Sequence, residues 1–106
     1  MKLIRAIIRP EREDDVVTAL EQAGIVSLTK MDVVGRGLQR GVQVGATLYD
    51  ELPKVQLLLI VEEAKVDTAV AAIEAAARTG QYGDGKIFIS PVEAAYTIRT
   101  GEKSNS

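Results

Sequence analysis

Within 106 residues the pattern strand–helix–strand occurs twice. "KLIRAIIR" (Lys2 to Arg9) alternates, with Ile4, Ala6 and Ile8 on one face and Leu3, Arg5, Ile7 and Arg9 on the other. Such period-two spacing marks a strand with one strongly apolar side. Pro10 ends it. "EREDDVVTALEQAG" then places Val16, Leu20 and Ala23 at helical spacing, with Asp14 and Asp15 early, where the helix dipole favours anions, and Gly24 as a stop. "IVSLTKMDVV" is strand-like up to Gly35. The second half repeats the scheme: strand "KVQLLLIVEE" (Lys54 to Glu63), helix "KVDTAVAAIEAAARTG" (Lys65 to Gly80) with Val66, Val70, Ile73 and Ala77 on one face, and strand "KIFIS" (Lys86 to Ser90). Two such units in so short a chain predict an α+β fold of ferredoxin-like βαββαβ type. Its two helices would cover one face of a four-stranded antiparallel sheet, in one domain spanning residues 1–106.

The third strand adds a constraint. Val55, Leu57, Leu58, Leu59, Ile60 and Val61 make it apolar on both faces. A sheet with one solvated face should alternate instead. The face away from the helices is therefore expected to be covered, either by other copies of the chain or by its own tail.

Composition narrows the chemistry. The chain has neither cysteine nor histidine, which removes the thiol nucleophile, the disulfide and the commonest acid–base side chain and zinc ligand. The net charge of −2 and the 4% aromatic content argue against a nucleic-acid binder with its basic stripe and stacking platforms. No apolar run approaches the roughly 20 residues of a membrane span, and the start lacks a secretory h-region. These features lead us to expect a cytoplasmic protein that is not a metalloenzyme.

Three loops pair glycine with a cation. "GQYGDGK" (Gly80 to Lys86) precedes the last strand, "GRGLQRG" (Gly35 to Gly41) opens the long second connection, and "RTGEK" (Arg99 to Lys103) lies near the C-terminus. Taken alone, the first reads equally well as a helix stop at Gly80, an Asp84-Gly85 turn and a solvated Lys86. It is not a P-loop, whose glycines follow a strand and open a helix. In company the three suggest a polyanion held between loops, since glycine lets consecutive N–H groups converge and Arg and Lys supply charge. The connection "GRGLQRGVQVGATLYDELP" (Gly35 to Pro53) carries four glycines. It reads either as an irregular β-ribbon with a flexible tip or as a loop that orders on binding a ligand or partner.

Together these residues resemble the PII family of nitrogen-regulatory signal transducers. "ALEQAGIVSLT", "G-x-G-x-Q-R-G", "LPK", "ARTGQYGDGKIFI" and "IRTGE" carry the likeness along nearly the whole chain. The resemblance implies a trimer that binds ATP or ADP between subunits. By matching motif, Gly83, Asp84, Gly85 and Lys86 would surround the phosphates and Arg99 would reach them, with Thr29, Gly35, Arg36 and Gly37 near the nucleotide. Gln39 matches the glutamine that helps hold Mg²⁺ and 2-oxoglutarate on bound ATP. Lys54 matches the lysine that pairs with the distal carboxylate of 2-oxoglutarate. The loop residues Tyr49, Asp50 and Glu51 would meet a partner.

Some residues depart from the common family pattern. Position 36 is arginine, position 38 leucine and position 97 threonine, and the long loop is short. Tyr49 lies closer to Lys54 than the modified tyrosine of uridylylated members, so that modification is not implied. "YDELPK" and "ISPVEAAYTIRTGE" are similar to the nitrogenase-associated branch, first of two related subunits. That branch implies inhibition of dinitrogenase, relieved by 2-oxoglutarate, in a homotrimer or an assembly with the paralogous subunit. Two other functions stay open: a PII protein acting on an ammonium channel or assimilation enzyme, and a small acyl-phosphate hydrolase.

Overall fold

The computed structural model describes residues 1–36, 42–44, 47–49 and 51–105. In chain order the elements are β1 (Lys2–Ile8), α1 (Glu13–Gln22), β2 (Thr29–Gly35), β3 (Val42–Val44), β4 (Thr47–Tyr49), β5 (Leu52–Val61), α2 (Val66–Ala77), β6 (Gly85–Pro91), β7 (Ala94–Tyr96) and β8 (Lys103–Asn105). The internal repeat extends to the helix starts, because a short 3₁₀ turn (Pro10–Arg12, then Glu63–Lys65) leads into each helix.

The four long strands form one sheet in the order β2-β5-β1-β6, every pair antiparallel. The two halves are thus interleaved, with one strand of each at the centre, as the ferredoxin-like expectation requires. Ile4, Ala6 and Ile8 of β1 and Val55, Leu57, Leu59 and Val61 of β5 are buried against Val16 and Leu20 of α1 and Ala69, Ile73 and Ala77 of α2. Both helices therefore lie on one face of the sheet. The register puts Leu3, Arg5, Ile7, Leu58, Ile60, Met31 and Phe88 on the opposite face. There Met31, Ile60 and Phe88 are 46%, 47% and 50% exposed. In the single chain, then, the tail does not cover this face.

Several boundaries differ from the sequence expectation. β2 begins at Thr29 rather than near Ile25. Ile25 is used earlier, to close α1: Gly24 N–H bonds the Glu21 carbonyl at 2.9 Å, Ile25 N–H bonds the Leu20 carbonyl at 2.8 Å, and Gly24 has φ +83°. This is the Schellman arrangement, with buried Ile25 as its hydrophobic contact. α2 ends at Ala77, not at Gly80, because Arg78 is already extended. The expected tail at 100–106 instead contributes β8, which pairs with β7 in a hairpin turned by Gly101. There the Lys103 ammonium lies 5.9 Å from the Tyr96 ring centre. In the long connection, Val42–Val44 and Thr47–Tyr49 pair as a two-stranded ribbon, and β5 starts at Leu52.

β6 approaches β1 closely at Gly85. Its φ is +108°, and a Cβ there would stand 1.7 Å from the Ile7 carbonyl oxygen. Both the conformation and the space demand glycine. Gly85→Ala should cost about 3 kcal/mol or more and lower the melting temperature by on the order of 10 °C or more. Thermal unfolding followed by circular dichroism measures this; an unchanged melting temperature would contradict the close approach.

Candidate functional site

The candidate site is the loop between α2 and β6, residues 78–84, together with what the sheet brings to it. Because β1 and β6 are antiparallel and Ile8 pairs with Gly85, the residue after β1 arrives beside the residue before β6. Arg9 therefore meets Asp84. Its Nε–H bonds Asp84 Oδ1 at 3.0 Å and its Nη2–H bonds the Tyr82 carbonyl at 2.8 Å. On the other side of β1, Lys54 near the start of β5 donates to the Gly83 carbonyl. Gly35, last in β2, packs against the same lysine: a Cβ on it would lie 3.3 Å from Lys54 Cγ.

Asp84 ties the loop to itself. Its Oδ2 accepts the N–H groups of Thr79 and Gly80, each at 2.8 Å, and its Oδ1 accepts the Thr79 hydroxyl. Thr79 Oγ1 in turn accepts Gln81 N–H at 3.1 Å. Gly80 and Gly83, at φ +86° and +94°, supply the left-handed turns this path needs. Gly80 thus serves the loop and not the helix end. The Thr79 hydroxyl foremost, then Thr79 N–H, Arg9 and Gly80 N–H, hold the Asp84 carboxyl well below the usual carboxylate range, against the opposing effect of partial burial. Partial burial foremost, then the charge of Arg9, lowers the pKa of Lys54 from the ordinary lysine value. A groove of about 270 Å³ lined by Ile73, Ala77, Arg78, Asp84, Gly85 and Lys86 opens this loop to solvent between α2 and β6.

The residues singled out from the sequence fall into two groups. Gly35, Lys54, Gly83, Asp84 and Gly85 come together, with Arg36 following Gly35 and Lys86 following Gly85. Thr29 and Arg99 do not join them. Gly85 lies in one row with Ile8, Val55 and Asp32. Thr29 opens β2 and Gly35 closes it, so Thr29 lies six residues, about 20 Å along the strand, from the end of β2 that meets Lys54. Arg99 belongs to the β7–β8 hairpin, which leaves β6 at Pro91, about 20 Å along the strand from Gly85. Gly37, Gln39 and Asp50 lie outside the described residues. Tyr49 closes β4, and Glu51 is an exposed residue directly before β5.

Sequence reading missed Arg9 as a member of the site. The signal was present, for Arg9 shares a face with Leu3, Arg5 and Ile7, and antiparallel pairing of the first and last strands puts it opposite Asp84.

Asp84→Asn provides a pH test. The unfolded chain binds a proton on this carboxyl near pH 4, whereas the folded protein binds it only at lower pH. The carboxylate's contribution is therefore fully present above about pH 4 and is lost as pH falls below it. Urea midpoints of wild type and Asp84→Asn should differ most at pH 6 and converge toward about pH 2. A gap that does not narrow would show that the carboxylate charge is not what holds the loop.

Comparison with known proteins accords with this geometry. The family model for nitrogen regulatory protein P-II matches residues 1–102. The chain is 56% identical over 103 residues to "nitrogen fixation nifHD region GlnB-like protein 1" of Methanobacterium ivanovii, covering 97% of this chain and 98% of that one. It is 52% identical over 100 residues to the protein of the same name from Methanococcus maripaludis, covering 94% and 95%. It is also 55% identical over 102 residues to that of Methanothermococcus thermolithotrophicus, covering 96% and 97%. With the glycine-rich loop, the interleaved βαβ halves and these relatives taken together, the chain belongs to the PII family of nitrogen regulators.

Proposed function

We propose that this PII protein senses ATP, ADP and 2-oxoglutarate in the cytoplasm, and that it controls nitrogen fixation by binding and inhibiting dinitrogenase until 2-oxoglutarate releases it. Its family is one of regulators, not enzymes, and the curated relatives carry nitrogen-fixation-region names. The observation that carries the reading is the glycine loop held open beside Gly35 and Lys54, with Lys86 next to it. Its N–H groups and lysine suit phosphate oxygens, and Lys54 suits a dianion arriving at the same loop.

The separation of Thr29 and Arg99 from that loop supports a site shared between copies. A nucleotide spanning both groups needs one group from each of two chains. The exposed apolar sheet face gives those chains a reason to associate. We therefore read the assembly as a trimer, either of this chain or with a paralogous subunit. Among the described residues no group of three or more Asp, Glu, His or Cys side chains is arranged to hold a metal. Mg²⁺ would take its oxygens from phosphate, the keto acid and Gln39, a donor set that suits it. It would join 2-oxoglutarate to ATP and so make keto-acid binding depend on the nucleotide.

Linkage supplies a test. 2-Oxoglutarate should bind tightly with Mg²⁺ and ATP, and poorly with ADP or without the metal. Gln39→Ala should retain ATP but lose the keto acid, leaving dinitrogenase inhibited at all 2-oxoglutarate concentrations. Lys86→Ala should weaken ATP and ADP alike, by roughly ten- to hundredfold. Calorimetry and a dinitrogenase inhibition assay measure these outcomes. Equal 2-oxoglutarate affinity with ATP and ADP would overturn the reading.

A further inference from the structure

The sheet face turned away from the helices carries a charge at its centre. Thr29, Leu58, Arg5 and Phe88 form one row across β2, β5, β1 and β6. Leu3 and Ile7 flank Arg5 along β1, on the same face and about 7 Å to either side. Apolar residues thus neighbour exposed Arg5 along its strand and across the sheet. Among the described residues no ion pair or hydrogen bond engages its guanidinium. The four strands offer it no acid on this face. Asp32 is the one carboxylate within them, and it pairs with buried Val55, on the helix side. The carboxylates that border β5 and β6 (Glu51, Glu62, Asp84 and Glu93) lie beyond the strand ends, and Asp84 is already taken by Arg9.

We propose that Arg5 selects the partner of this face: the face mates with a second chain of the same βαββαβ fold that carries an aspartate or glutamate where this chain carries Arg5, and it resists mating with copies of itself. The role rests on the reading of the assembly as a trimer with shared sites. Covering the exposed Met31, Ile60 and Phe88 also removes the water around Arg5. Arginine does not shed its proton, so its guanidinium then needs a hydrogen-bonded anion. Identical copies around a closed axis hold the same residue at the same height. Three copies of this chain would therefore gather three guanidinium groups and no carboxylate from their strands. A related chain with an acid at that height turns the repulsion into a charge-assisted pair. The surrounding apolar residues supply attraction in either arrangement, so the charge at position 5 makes the choice.

The test needs no natural partner, because Arg5→Glu supplies the complementary face on the same chain. Wild type, Arg5→Leu, Arg5→Glu and an equimolar mixture of wild type with Arg5→Glu are followed by sedimentation velocity over a concentration series. Native mass spectrometry resolves mixed assemblies by mass. Circular dichroism checks folding, and Arg5→Gln replaces Arg5→Leu if the latter aggregates. Arg5→Leu should assemble at roughly a hundredfold lower concentration than wild type. The mixture should assemble at lower concentration than either of its components, and assemblies holding both chains should exceed the statistical proportion. Equal assembly of wild type and Arg5→Leu overturns the proposal and leaves the trimer in place. Statistical mixing of wild type with Arg5→Glu overturns it as well. If none of the proteins associates at any concentration, the sheet face is not an interface, and the shared-site reading fails together with the role of Arg5.

Discussion

The close approach of β6 to β1 at Gly85 is the constraint from which the site follows. A strand pair can come this near only where one partner lacks a Cβ, and here the Ile7 carbonyl occupies the place a side chain would need. Once Gly85 is opposite Ile8, antiparallel geometry brings the end of β1 and the start of β6 to the same edge. β5 flanks β1 on its other side, so Lys54 arrives at that edge as well. Three segments far apart in sequence thereby converge on one loop.

Charge then decides the loop's shape. Asp84 accepts from two backbone N–H groups, a hydroxyl and a guanidinium, which keeps it ionised and turns the segment back on itself. Charge-assisted bonds of this kind are stronger than neutral ones. Lys54 pays an opposite cost, since partial burial and the neighbouring Arg9 both disfavour its charged form. A cation held in that state is poised to gain from a bound anion more than a solvated lysine would.

The two faces of the sheet divide the work. One carries the core, where alternate residues of β1 and β5 meet the apolar stripes of both helices. The other holds large apolar side chains that a single chain leaves in water. Under the proposed function the site is likewise shared between chains, because Thr29 and Arg99 stand away from the glycine loop. Association would bury the face and complete the site together. This is why the apolar pattern of β5 and the split between the two residue groups support the same assembly.

Local pattern alone made the fold legible. Alternation in β1 and β5, helical spacing in α1 and α2, and the repetition of the whole unit are properties of neighbouring residues, and they determined the βαββαβ architecture and the helix-facing core. Gly24 could be recognised as a stop by type, but the Schellman bonds that draw Ile25 out of β2 could not. The β7–β8 hairpin was missed because its strands are three residues each and its alternation is correspondingly weak. The sequence by itself determined the elements, their order and the residue types available for an anion. Only the tertiary structure decided that Arg9 belongs to the site, that Asp84 organises the loop, and that Thr29 and Arg99 stand apart from it. Those outcomes depend on strand register and on distances across the sheet, which join residues separated by up to 75 positions in the chain and leave no periodic trace in the sequence.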